Sequence, residues 1–93
     1  MTREQKKTVR GALRLYGRGL SQPEEWKQAI EAGMKQCAAE DSVWAELLQM
    51  RYIQRIKEPR VIDALFICRT TYYRKELEAL SVVAVEAARR GLL

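Results

Sequence analysis

The chain reads as an all-α protein of about five helices, with a helix-turn-helix in its C-terminal half and a long last helix. Three observations predict this. Apolar residues recur at spacings of three and four along nearly the whole chain, as on one face of a helix. No alternation of period two persists, so strands are not expected. Ser, Asp, Pro and Gly fall at intervals that start and stop helices. The 93 residues are 47% hydrophobic, enough for one domain with its own core. Within it, residues 1–41 form an N-terminal helical pair and residues 42–93 carry the helix-turn-helix and the extended last helix.

The first helix is expected from Thr2 to Tyr16. Val9, Ala12, Leu13 and Tyr16, with Leu20 beyond, fall on one side of it, and Arg3, Lys7, Arg10 and Arg14 on another. That basic stripe suits either DNA phosphates or plain solvation. Gly17 and Gly19 end the helix. The second starts at Ser21, which makes a capping box with Glu24 while Pro23 sits in the first turn. Trp26, Ile30, Gly33 or Met34, and Cys37 give its core stripe, with Trp26 as a packing anchor, and Ala38 and Ala39 close it. Asp41 or Ser42 caps the third helix, Val43 to Gln54. It carries Trp44, Leu47, Leu48, Tyr52 and Ile53 inward and has Arg51 and Arg55 on its polar side. Pro59 is excluded from a helix interior but fits the first turn of a fourth helix, Glu58 to Leu65, where Val61, Ile62 and Leu65 form the apolar stripe. Phe66, Ile67 and Cys68 break the charged pattern where a tight turn would fall. The last helix runs from Arg69 to Arg90. Beyond Lys75 it is apolar on more than one face (Leu77, Leu80, Val82, Val83, Ala84, Val85, Ala87, Ala88), a surplus that suggests a partner helix, most simply from a second copy.

Composition narrows the chemistry. There is no His, so no Ser-His, Cys-His or His-metal arrangement is available. Cys37 and Cys68 are the only two thiols, too few for a structural zinc site, and they read as buried thiols of a cytosolic protein. The glycines form no phosphate-binding loop and the acids are scattered at helix-surface spacing. No catalysis, metal or cofactor is expected. No apolar run approaches the ~20 residues of a bilayer span, and no signal peptide is evident at the N-terminus. The net charge is +5, unevenly spread. Residues 1–20 carry six basic side chains against one acid, residues 21–50 two against six, and residues 51–93 nine against five. Basic surfaces attract the phosphate backbone, whereas the acidic middle would repel it and reads as a solvated helix face turned away from DNA.

The stretch RYIQRIKEPRVIDALFICRTTYYRKELEAL, residues 51–80, carries the functional signal. Its order of apolar, turn and basic positions suits two crossing helices, of which the second enters the major groove. RTTYYRK brings together guanidiniums, an ammonium, threonine hydroxyls and phenols, the groups that reach phosphates and base edges. Arg51–Ile53, Val61–Ile67 and Thr70–Lys75 resemble the fourth conserved region of sigma factors, and more closely the ArpU/RinA-type phage transcriptional regulators that share that fold. The resemblance covers the last half of the chain well and the first half loosely. Two positions depart from the pattern. Phe66 stands where a Gly is usual, which argues against a standard tight turn, since Phe does not tolerate positive φ. Cys68 stands where a Ser is usual, and a thiol is a poor cap.

The resemblance implies a sequence-specific regulator that binds double-stranded DNA in a bacterial cytoplasm and that recruits or positions host RNA polymerase. The apolar surplus of the C-terminal helix adds a homodimer joined through it, as helix-turn-helix proteins usually bind DNA in two-fold pairs. Arg69, Thr70 and Arg74 would read bases, with Tyr73 at the boundary. Lys57, Arg60, Thr71 and Lys75 would hold phosphates, the first two beside the positive end of the fourth helix. Tyr72 takes the place of a core aliphatic residue. The acidic second helix, with Glu24, Glu25 and Glu31, is the candidate protein-facing surface. Two other classes fit the same residues: the DNA-recognition subunit of a phage packaging machine, which would assemble as a ring, and a helical protein-interaction adaptor.

Overall fold

A computed structural model describes all 93 residues. It is all-α: α1 Arg3–Gly17, α2 Glu24–Glu40, α3 Ser42–Leu48 running into a π-helical segment Gln49–Ile53, α4 Glu58–Leu65 and α5 Arg69–Arg89. No helix is long and apolar enough to cross a membrane.

Local chemistry explains most boundaries. Thr2 caps α1: its hydroxyl accepts from Gln5 N–H at 3.0 Å, and Gln5 Oε1 accepts from Thr2 N–H at 2.9 Å. The expected capping box at Ser21 does not form. Pro23 disfavours a helical conformation at Gln22, is itself extended (φ −53°, ψ 141°), and delays the start of α2 to Glu24 without any side-chain cap. Asp41 is the cap of α3, its Oδ1 accepting from Val43 N–H at 2.9 Å. The third helix does not run uniformly to Gln54. After Leu48 it widens by a residue per turn, with Gln54 N–H donating to Gln49 O at 2.8 Å. Nothing in the periodicity marks that insertion.

One core of fourteen buried residues draws on every helix, from Val9 and Leu13 of α1 to Leu80, Val83 and Ala84 of α5, so it crosses the 41/42 boundary. Gly33 permits a close approach between α2 and α5. A Cβ at residue 33 would lie 2.8 Å from Val83 Cγ2 and 3.0 Å from Val83 Cα.

The core contains a carboxylate. Glu76, 5% exposed, accepts from Arg10 Nη2 at 2.7 Å, Tyr52 Oη at 3.0 Å and Tyr72 Oη at 3.3 Å. Arg10 therefore leaves the basic stripe expected for α1 and turns inward. Burial would lower its basicity, but Glu76 holds the guanidinium above its ordinary value. Burial, followed by the charge of Glu76, pushes the Tyr52 phenol up to about 12 and raises that of Tyr72 further. Both phenols are thus fixed as neutral donors, and the network ties the start of α5 to α1 and to the π-helical segment.

Candidate nucleic-acid interface

α4 is followed by a three-residue turn and then by α5, in the order that the sequence spacing predicts. Phe66 makes the turn by adopting the left-handed conformation expected to exclude it (φ 55°, ψ 42°). Its N–H donates to Asp63 O at 3.2 Å, and Ile67 N–H reaches Ile62 O at 3.4 Å. The phenyl ring is 94% exposed, so no burial repays the backbone cost, which is about 1–2 kcal/mol for a residue bearing Cβ. Cys68 is exposed rather than buried and does cap α5, its sulfur accepting from Thr71 N–H at 3.5 Å and lying 3.2 Å from Thr71 Oγ1. Those bonds from Thr71, made to a sulfur at a helix start, hold the Cys68 thiol below its ordinary value.

The four candidate base readers, Arg69, Thr70, Tyr73 and Arg74, are all exposed on the first turns of α5. At about 100° per residue they span roughly 140° of arc, with Arg69 beside Tyr73 and Thr70 beside Arg74 as i,i+4 neighbours. Tyr72 is fully buried, as expected, and its ring meets that of Tyr73 edge to face at 5.6 Å. Tyr73 has a structural partner as well: its hydroxyl donates to Glu58 Oε2 at 2.8 Å, which links the starts of α4 and α5.

The phosphate candidates divide. Lys57 and Arg60 are exposed at the start of α4, where Lys57 is the extended N-cap and Pro59 occupies the first turn. With Arg55 and Ile56 they line a basic cleft of about 490 Å³. Thr71 is half-buried and engaged with Cys68. Lys75 stands apart from the others, because its Nζ lies 2.6 Å from Asp41 Oδ2, with both side chains mostly buried. That ion pair fastens α5 to the cap of α3 and holds Asp41 below its ordinary carboxylate value. In this arrangement Lys75 is a brace.

The fold also gathers Arg14, Arg18, Arg51 and Arg55 into one place, a grouping that sequence spacing does not reveal. The signal is faint: two Arg pairs spaced i,i+4, thirty-odd residues apart, on segments that only the fold brings together.

Compared with known proteins, residues 21–84 match the family described as "Protein of unknown function (DUF1492)". The matched segment holds α2, α3, α4 and the first three-quarters of α5, and so every candidate base-reading and phosphate-binding residue named above. No curated protein and no solved structure matches the chain.

Proposed function

Because the chain belongs to the DUF1492 family of proteins of unknown function, we propose from its geometry that it is a sequence-specific, double-stranded DNA-binding transcriptional regulator. The observation that carries this reading is the exposed arc of Arg69, Thr70, Tyr73 and Arg74 at the start of α5, set beside Lys57 and Arg60 at the start of α4. Guanidinium and hydroxyl groups at the first turns of a second helix are what major-groove reading requires. Basic groups at the start of the first helix give the backbone grip that fixes register. The likeness to ArpU/RinA-type regulators adds a phage or prophage role in a bacterial cytoplasm, with host RNA polymerase as protein partner. The exposed carboxylates Glu24, Glu25 and Glu31 of α2 would face that partner.

Homodimerisation belongs to the same proposal. The outer face of α5 runs from the basic arc into Leu77, 47% exposed, and Val85, 52% exposed, with Ala88 beyond. A two-fold pair joined there would present two recognition helices to half-sites about 34–36 Å apart.

The experiment is selection from random duplex DNA at physiological salt, beside the Arg69→Ala/Arg74→Ala variant. Enrichment of a palindromic motif that the variant loses is the expected result. Weak, salt-sensitive binding without a motif, unchanged in the variant, would defeat the reading. A second reading, a helical adaptor, is favoured by an apolar groove of about 620 Å³ between α2 and α3, lined by Met34, Ala38, Ala45 and Met50 among others. An adaptor would keep its partner in the Arg69→Ala/Arg74→Ala variant.

A further inference from the structure

Arg14 of α1, Arg18 at its C-cap, Arg51 of the π-helical segment and Arg55 just beyond it converge on a notch of about 110 Å³, closed by Tyr52. Two backbone features build it. A Cβ at residue 17 would run into the Tyr52 carbonyl, so glycine there lets the end of α1 settle on the π-helical segment. Arg55 is held at φ 58°, a left-handed conformation that side chains disfavour outside special turns. Arg51 is placed by the Tyr52 ring, its guanidinium carbon 5.7 Å from the ring centre.

The four guanidiniums have no carboxylate partner. The ion pairs of the molecule lie elsewhere, in Arg10–Glu76, Lys75–Asp41 and the pairing of Glu86 with Arg89 and Arg90. Helix ends offset only part of this charge. A helix C-terminus carries roughly half a negative charge, so the two ends meeting here supply roughly one against four positives. An uncompensated concavity of this kind attracts an oxyanion, and guanidiniums match phosphate geometry through paired N–H groups. The volume fits one phosphate group and falls well short of the ~300–1,000 Å³ of sites for whole small molecules. The notch also adjoins the interface described above, since Arg55 lines both it and the basic cleft of Lys57 and Arg60.

We propose that this notch seats a phosphate of the DNA backbone beyond those gripped at the start of α4, extending the footprint past the helix-turn-helix. The proposal rests on the DNA-binding reading. Its test is the salt dependence of binding to the selected duplex with natural-length flanks, for the wild type and for Arg14→Gln/Arg18→Gln, both exposed positions. Thermal melting confirms that the variant folds, and Arg51→Gln provides a second variant. The slope of log affinity against log salt should become shallower by about 0.9 for each phosphate that is no longer neutralised, while the ratio of selected to mismatched affinity stays unchanged. An unchanged slope, with Arg69→Ala/Arg74→Ala still abolishing the motif, overturns the notch and leaves the DNA reading standing. No duplex binding by any form overturns both. A separate titration of the free protein with inorganic phosphate and pyrophosphate, followed through the arginine side-chain resonances, distinguishes the source. Saturation at micromolar concentration would assign the notch to a free phosphorylated ligand and overturn the proposal.

Discussion

Glu76→Leu should destabilise the fold by about 2–6 kcal/mol, a figure that follows from the carboxylate's three partners. Tyr52 and Tyr72 are 2% and 0% exposed, and each donates its hydroxyl to Glu76. Leucine leaves both donors buried without acceptors, at about 1–3 kcal/mol each. Arg10 adds less, because its side chain is one-third exposed and can turn to water, which discounts the pair toward the surface value. The sum agrees with the about 3–5 kcal/mol found when one member of a buried charged network is removed. A domain of this length is stable by roughly 5–14 kcal/mol at about 0.05–0.15 kcal/mol per residue, so the variant loses a large part of its stability. Urea unfolding followed by the fluorescence of Trp26 and Trp44 measures it, and the midpoint of thermal unfolding should fall by more than about 8 °C. Adding Tyr52→Phe to Glu76→Leu should cost little or even restore stability, since it deletes an orphaned donor. A Glu76→Leu variant within about 1 kcal/mol of wild type would refute the view that this network anchors α5 to α1.

Three further outcomes are expected. Gly33→Ala should lower stability by about 1–2 kcal/mol in urea unfolding, because crowding against the stiff Val83 exceeds the ~1 kcal/mol that alanine gains in helix propensity. Phe66→Gly should raise stability by up to about 1 kcal/mol, since it relieves a left-handed backbone and gives up no buried surface. Iodoacetamide should modify Cys68 well before Cys37. At pH 7 the depressed Cys68 pKa gives it more thiolate than an ordinary cysteine, whereas burial pushes Cys37 up to about 11; raising the pH should narrow the Cys68 advantage over a model thiol, as both become fully ionised.

The C-terminal half is legible in the sequence for local reasons. Pro59 and Cys68 fall at the starts of α4 and α5, and both helices begin within a residue of where those punctuators place them. The start of α2 is misleading because Ser21 and Glu24 satisfy a capping-box pattern that the constraint of Pro23 on Gln22 overrides. Phe66 is by composition an obstacle to the turn, yet the fold holds it left-handed and accepts the strain. The remainder is hidden for one shared reason: it depends on segments distant in sequence meeting in space. Arg10 and Lys75 look like surface cations until Glu76 and Asp41 arrive beside them from elsewhere in the chain. The arginine notch exists only because Gly17 and Tyr52 touch.

Chemical-shift mapping of the isotope-labelled protein, titrated with the selected duplex, tests where the DNA lies. The largest amide perturbations should fall at Arg69–Arg74 and at Lys57–Arg60, with Glu24–Glu31 on the acidic helix unmoved. Perturbations confined to the groove between α2 and α3, around Met34, Ala38, Ala45 and Met50, with the start of α5 silent, would contradict it.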